Sequence, residues 1–193
     1  MQKTSYYIIN GITIYRIAAA PVLALLIIYG NKDFFKWMLA ISFFTDAIDG
    51  FLARRFKVSS LLGAKLDSIG DDLTVAAGVV GMIVFNPAFF KEQLPVLIGL
   101  LLLFIIEVAL AFFRYGKMTT FHTYGAKIAA VAQGSFLILL FFTPEPLTIL
   151  FYIAAFITAA ELIEEILIVL VLPRWKANVK GLFWVLKKRR PNL

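Results

Sequence analysis

The chain contains no cysteine and a single histidine, His122. Without thiols there is no disulfide framework, no thiolate nucleophile and no Cys-ligated zinc, and one imidazole excludes a multi-histidine metal site. Charge is scarce too: 16% of the 193 residues are charged, against 61% hydrophobic. A soluble domain of this length does not show that balance. The start, Met1-Gln2-Lys3-Thr4-Ser5-Tyr6-Tyr7, offers no small-residue cleavage site, so no cleaved secretory leader is expected. The net charge of +7 could suit nucleic acid. In a chain with recurring apolar runs it fits positive loops on one membrane face and contact with anionic lipid instead, so no nucleic-acid partner is expected.

What the chain does have is long apolar runs of near membrane-spanning length. Six spans can be drawn, at about 7–29, 34–56, 62–86, 93–114, 123–142 and 147–172. The first stops at Gly30-Asn31-Lys32-Asp33, the third at Asn86-Pro87, the fifth at Thr143-Pro144-Glu145-Pro146 and the sixth at Pro173. Of the 19 Lys and Arg residues, Lys32, Lys36 and Lys91 fall at one set of span ends and the others at the opposite ends. That asymmetry predicts an all-α integral membrane protein with six transmembrane helices and both termini cytoplasmic. A six-helix domain over 1–172 would be followed by a tail over 173–193. Trp175, Leu182, Phe183, Trp184 and Leu186 beside Lys187-Lys188-Arg189-Arg190 read as a basic amphipathic helix on the inner leaflet.

Against this apolar background stand Asp46, Asp49, Asp67 and Asp71, in the stretch Asp46-x-x-Asp49-Gly50-x-x-Ala53-Arg54-x8-Gly63-x3-Asp67-x3-Asp71. A carboxylate in or beside the bilayer core costs a few kcal/mol, so clustered ones need a partner. Asp46, Asp49, Gly50 and Ala53 follow i, i+3, i+4, i+7 and share one face of the second span; Gly63, Asp67 and Asp71 follow i, i+4, i+8 on the third. The short connection makes these helices antiparallel neighbours, so the acidic faces meet near the cytoplasmic end. Converging carboxylates repel, and one or two divalent cations would relieve that; all-oxygen ligands suit Mg²⁺, Mn²⁺ or Ca²⁺. Gly50, Ala53 and Gly63 leave room for a ligand or a partner backbone. A two-metal carboxylate site suits displacement at phosphorus. The alternative reading pairs the aspartates with Arg54, Arg55, Lys57 and Lys65 as a charge network. A cation carrier is a further alternative, but a carrier would more often place its acids near the midplane on broken helices.

At every position the stretch resembles the signature of the CDP-alcohol phosphotransferase (phosphatidyltransferase) family, and Asn10-x-x-Thr13-x-x-Arg16 looks like a segment many members carry in their first span. The resemblance implies six transmembrane helices, a homodimer in the cell (inner) membrane, and an active site facing the cytoplasm. It implies release of CMP from CDP-diacylglycerol by the hydroxyl of a small alcohol. On this chain, Asp46, Asp49, Asp67 and Asp71 would hold two divalent cations, Mg²⁺ or Mn²⁺. Asp71 would be the general base, and Asp49, Gly50, Ala53, Arg54, Gly63 and Thr13 would contact the CDP portion.

The acceptor is less legible. Arg114, Lys117, His122 and Lys127 sit near the same membrane face and could bind an acceptor phosphate; ordinary positive-inside charge is the bland reading. Gly125-Ala126-Lys127 loosely resembles the Gly/Lys segment of glycerophosphate-using members. That favours sn-glycerol 3-phosphate, with inositol phosphate or another polar alcohol as the alternative. Glu107 in the fourth span and Glu161, Glu164 and Glu165 in the sixth could pair with cations, bind acceptor hydroxyls, or serve a cavity lining or dimer contact. Asp72, turned about 100° from Asp71, is not expected to be a ligand.

Overall fold

A computed structural model describes the backbone of residues 2–56, 61–119, 121 and 123–189, and side chains within 11, 14–45, 48, 69–119, 121 and 123–187. Among these residues there is no strand, and seven helices follow in order. They are α1 (Gln2–Ile28), α2 (Lys32–Phe56), α3 (Leu61–Phe85), α4 (Pro87–Tyr115), α5 (Tyr124–Phe142), α6 (Thr148–Val171) and α7 (Leu182–Arg189).

The punctuation between helices has identifiable chemistry. α1 ends on Gly30 at φ 69°, with the Gly30 amide donating to Ile27 at 3.0 Å and the Asn31 amide to Leu26 at 2.9 Å. This paired closure needs a left-handed residue, which glycine adopts without steric cost. Asn31 then opens α2, its Oδ1 accepting from the Phe34 amide at 3.2 Å. In the first turn of α2 the exposed Asp33 accepts from Lys36 Nζ at 2.6 Å, and that hydrogen bond and charge hold its carboxyl below the usual range. α4 starts on Pro87, six residues earlier than the apolar run suggests, because proline is preorganised for a first helical position. Thr123, fully buried, caps α5 by accepting from the Ala126 amide at 2.9 Å.

The chain divides into two compact units: Met1–Phe90 with Leu137–Pro146, and Lys91–Phe136 with Leu147–Leu193. In the first, α1 packs along both α2 and α3, which also touch each other. Its core includes Leu23, Leu39, Met82 and Leu140, and the rings of Phe35, Phe85 and Phe141, with centroids 5.0 to 6.3 Å apart. Gly81 makes room for those rings: a Cβ there would lie 2.5 Å from Phe35 Cζ.

In the second unit Ala111, Phe121, Ile168, Val169 and Val179 form a buried cluster. The Tyr115 hydroxyl lies 2.8 Å from the Leu172 carbonyl and 3.0 Å from that of Val169, and Trp175 Nε1 donates to the Met118 carbonyl at 3.1 Å. The tail departs from the sequence reading. Among the described tail residues helix spans Leu182–Arg189, and the segment before it is irregular. Pro173 cannot continue α6, Asn178 takes φ 55° and Gly181 takes φ 148°, so a helix cannot propagate through them.

Among the described residues, α4 and α5 are long and apolar enough to cross a bilayer, and most of α4 is not buried. Leu101, Leu102, Phe104, Ile105 and Phe113 lie exposed along α4. An apolar exterior of this kind suits an apolar solvent.

Candidate active site

The acidic positions lie on α2 and α3, which touch each other. Asp46 and Asp49 lie within about three turns of the α2 C-terminus, and Asp67 and Asp71 within about three turns of the α3 N-terminus. Helical backbone over both segments keeps the i, i+3 and i, i+4 spacings that give each pair a common face. The side chains of Asp46, Asp49, Gly50, Ala53, Arg54, Gly63, Asp67 and Thr13 lie outside the described residues, and so does His122 altogether. Among the described residues no group of three or more acidic or histidine side chains is arranged to hold a metal ion.

Asp71 is described, and its partner is informative. Its Oδ1 accepts a hydrogen bond from Nη1 of Arg16 on α1, in an ion pair that spans 55 positions of sequence. The Arg16 side chain is fully buried, while 44% of the Asp71 side chain is exposed. Gly70, next to Asp71, is buried against this arginine: a Cβ there would lie 3.5 Å from Arg16 Cβ and Cζ. The Thr74 hydroxyl donates to the Gly70 carbonyl at 2.8 Å one turn on. Sequence reasoning weighed Arg54, Arg55, Lys57 and Lys65 as carboxylate partners and did not assign Arg16 to Asp71. The available signal was a lone arginine inside the first apolar run, a costly placement that calls for a partner.

The basic residues expected near an acceptor are spread over the second unit. Arg114 donates its Nε to the Leu172 carbonyl at 3.2 Å, at the C-terminal end of α6, where a cation is favoured. Lys117 Nζ lies 5.4 Å from the Trp175 ring centroid, and the exposed Lys127 lies 5.2 Å from that of Tyr124. Both ammonium groups therefore sit over aromatic faces.

The glutamates of this unit have specific partners. Glu107 accepts from the Thr119 hydroxyl at 2.7 Å. Glu161 and Glu165 lie one turn apart on α6, close enough to interact electrostatically with each other and with Glu107. Glu164 Oε1 accepts from the Leu182 amide at 2.8 Å and so caps α7. Gly125 and Gly181 let that carboxylate approach: a Cβ on them would lie 2.9 Å from Oε2 and 2.8 Å from Oε1 respectively. Nearby the Tyr124 amide donates to the Lys180 carbonyl at 3.2 Å, joining the start of α5 to the start of α7.

The family model described as CDP-alcohol phosphatidyltransferase matches residues 6–171, a span that holds the whole aspartate stretch and Arg16. The chain belongs to this family. Among curated members, a CDP-diacylglycerol–glycerol-3-phosphate 3-phosphatidyltransferase of Cereibacter sphaeroides is 36% identical over 75 residues, 37% of this chain and 34% of that protein. A CDP-diacylglycerol–inositol 3-phosphatidyltransferase 1 of Arabidopsis thaliana is 35% identical over 80 residues, 41% of this chain and 35% of that one. A cardiolipin synthase (CMP-forming)/mitochondrial hydrolase fusion protein of Schizosaccharomyces pombe is 24% identical over 121 residues, 61% of this chain and 19% of the fusion. The matched stretches thus span about a third or less of these relatives' own lengths. No solved structure matches the chain.

Proposed function

We propose that this CDP-alcohol phosphatidyltransferase moves a phosphatidyl group from CDP-diacylglycerol to sn-glycerol 3-phosphate and releases CMP. The observation that carries the reading is the family match over residues 6–171, which encloses the aspartate stretch on the α2–α3 hairpin. The helices α1–α6 are 19 to 29 residues long, or about 28–44 Å at 1.5 Å per residue, enough to cross a hydrocarbon core of about 30 Å. With the Lys and Arg asymmetry, this supports six spans in the cell membrane, both termini and the aspartates on the cytoplasmic side. A homodimer follows from the family resemblance.

The donor set fits two divalent cations: four hard oxygen donors at helical spacing, small neighbours at Gly50, Ala53 and Gly63, and a partly exposed Asp71 side chain. Bound Mg²⁺ or Mn²⁺ would supply charge neutralisation for the pyrophosphate oxygens and the departing CMP. Asp46, Asp49, Asp67 and Asp71 hold the ions, while Asp49, Gly50, Ala53, Arg54, Gly63 and Thr13 line the CDP portion. The acceptor hydroxyl oxygen forms a bond to the phosphorus that carries the diacylglycerol. The bond from that phosphorus to the CMP oxygen breaks, CMP keeps the electron pair, and the hydroxyl proton passes to the Asp71 carboxylate.

Lys127, with Arg114, Lys117 and His122, attracts the acceptor's phosphate. Lys127, exposed on the first turn of α5 over the Tyr124 ring, supports this reading. A second reading, inositol or inositol phosphate as acceptor, is favoured by the likeness to the Arabidopsis protein. The deciding experiment incubates the purified full chain with CDP-diacylglycerol, Mn²⁺ and, in turn, glycerol 3-phosphate, inositol 1-phosphate, inositol, serine and choline. Fastest CMP release with glycerol 3-phosphate is expected. Preference for an inositol compound would move the acceptor, and no release with any acceptor would favour a cation carrier.

A further inference from the structure

α7 is short, and a helix of this length does not hold in water on its own propensity. The second unit holds it on one side. Leu182 and Val185, at i and i+3, pack against the buried cluster of Ala111, Phe121, Ile168, Val169 and Val179. Glu164 caps its start, and the Trp184 ring centroid lies 5.4 Å from that of Tyr124. Phe183 and Leu186 take part in neither contact. They are 67% and 46% exposed, and with the exposed Lys187 they follow i, i+3, i+4 on one face. The sequence reading grouped Leu182 with Phe183 and Leu186; the fold takes Leu182 inward and leaves the other two outside.

Depth and charge both say what covers this outer face. Ala111, beneath Leu182 and Val185, stands one turn before the end of α4, and its neighbours Phe112 and Phe113 are exposed. α7 therefore lies level with the last turns of a helix that can cross a bilayer, where hydrocarbon gives way to headgroups. From Pro173 to Leu193 the chain has no acidic residue, and Arg174, Lys176, Lys180 and Lys187 are exposed. A second copy would bring the same cations, so like charge opposes a homotypic contact. Hydrocarbon bordered by anionic headgroups suits both the apolar side chains and the ammonium groups. The same unit repeats the combination where Lys117 Nζ lies 5.4 Å from the ring centroid of the exposed Trp175.

We propose that the outer face of α7, built from Phe183, Leu186 and Lys187, is a preformed docking surface for anionic lipid at the membrane interface. Phe183 and Leu186 enter the acyl boundary, while Lys187 and the exposed lysines before α7 draw negatively charged headgroups to it. The fold, not the lipid, holds the helix.

The test uses the full chain in lipid nanodiscs. The protein has three tryptophans, so Trp37→Phe with Trp175→Phe leaves Trp184 as the sole reporter on α7; both replaced side chains are exposed. Brominated acyl chains quench a nearby indole. At matched mole fraction in a phosphatidylcholine background, brominated phosphatidylglycerol is expected to quench Trp184 more strongly than brominated phosphatidylcholine. Lys187→Gln should lower that preference about fivefold, the worth of one cation near an anionic surface. Salt at about 1 M, where screening acts within about 3 Å, should nearly abolish it. In phosphatidylcholine alone the Leu182 amide should still exchange slowly, because its cap is Glu164.

Equal quenching by the two lipids, or a preference indifferent to both Lys187→Gln and salt, would overturn the proposal and leave ordinary flanking charge. Weak quenching by both would overturn it as well. If that persisted in nanodiscs holding a single chain, the face is open to water; if strong quenching appeared there, a second copy had covered it. Fast exchange at Leu182 without anionic lipid would overturn the preformed surface.

Discussion

Both compact units hold acidic side chains among apolar helices, and they secure them by different means. In the first, Asp71 is held by a permanent cation from another helix and keeps nearly half of its side chain open. In the second, Glu107 accepts a threonine hydroxyl, Glu164 accepts a backbone amide, and Glu161 and Glu165 lie one turn apart; among the described residues no cation pairs with these four. The difference separates two uses of a carboxylate in an apolar protein. Neutral donors that saturate an acid stitch helices together, as Glu164 does for α7. A fixed cation beside a partly exposed acid instead keeps that acid charged near the surface of the unit.

The sharpest way to break this comparison is to neutralise one acid of each kind. Asp71→Asn removes the proposed base and a metal ligand, so CMP release should fall by about 10²- to 10⁴-fold, the usual worth of a positioned proton acceptor. Loss of less than tenfold, in a steady-state assay on folded protein, would remove Asp71 from the chemistry. Next in size is Lys127→Ala. Losing a charge-assisted contact to a phosphate costs about 1.5–3 kcal/mol, so the KM for glycerol 3-phosphate should rise by about 10- to 100-fold. An unchanged KM would show that Lys127 only flanks the membrane.

Smaller effects concern packing. Gly81→Ala puts a Cβ 2.5 Å from Phe35 Cζ, and overpacking of this kind costs about 1–3 kcal/mol, to be read as a lower thermal midpoint in detergent. Gly125→Ala meets only the mobile end of Glu164 at 2.9 Å, so its midpoint should fall less. The smallest effect is expected from Glu164→Ala. Losing the cap of α7 costs about 0.5–2 kcal/mol, confined to the tail, and hydrogen exchange at the Leu182 amide should quicken while α1–α3 keep their protection. Equal loss of protection in both units would contradict the division of roles.

Particular elements show how far the chain could be read. The extents of α2 and α3 agree with the expected spans to within two residues, because a length near 20 apolar residues and Gly or Pro stops are local signals. The tail reading was too long: its charge and aromatic content suggested helix throughout, while Asn178 and Gly181 adopt positive φ and Val179 turns inward to the cluster around Ile168. Asp49 and Asp67 were legible as site candidates from spacing, and their side chains lie outside the described residues, as does His122. Arg16 was legible as an unusual residue but not as a partner.

By itself the sequence determined the apolar helices, their approximate ends and the clustering of aspartates on single helical faces. Each of these follows from hydropathy and the 3.6-residue period, which act over a few turns of one segment. Only the tertiary structure decided that Arg16 belongs to Asp71, 55 residues away, and that Glu164 belongs to Leu182, 18 residues away. No periodicity relates positions on different helices. Their partnership is set by how helices rotate and close against one another, and that depends on side-chain volumes across the whole interface, down to the missing side chains of Gly70, Gly125 and Gly181.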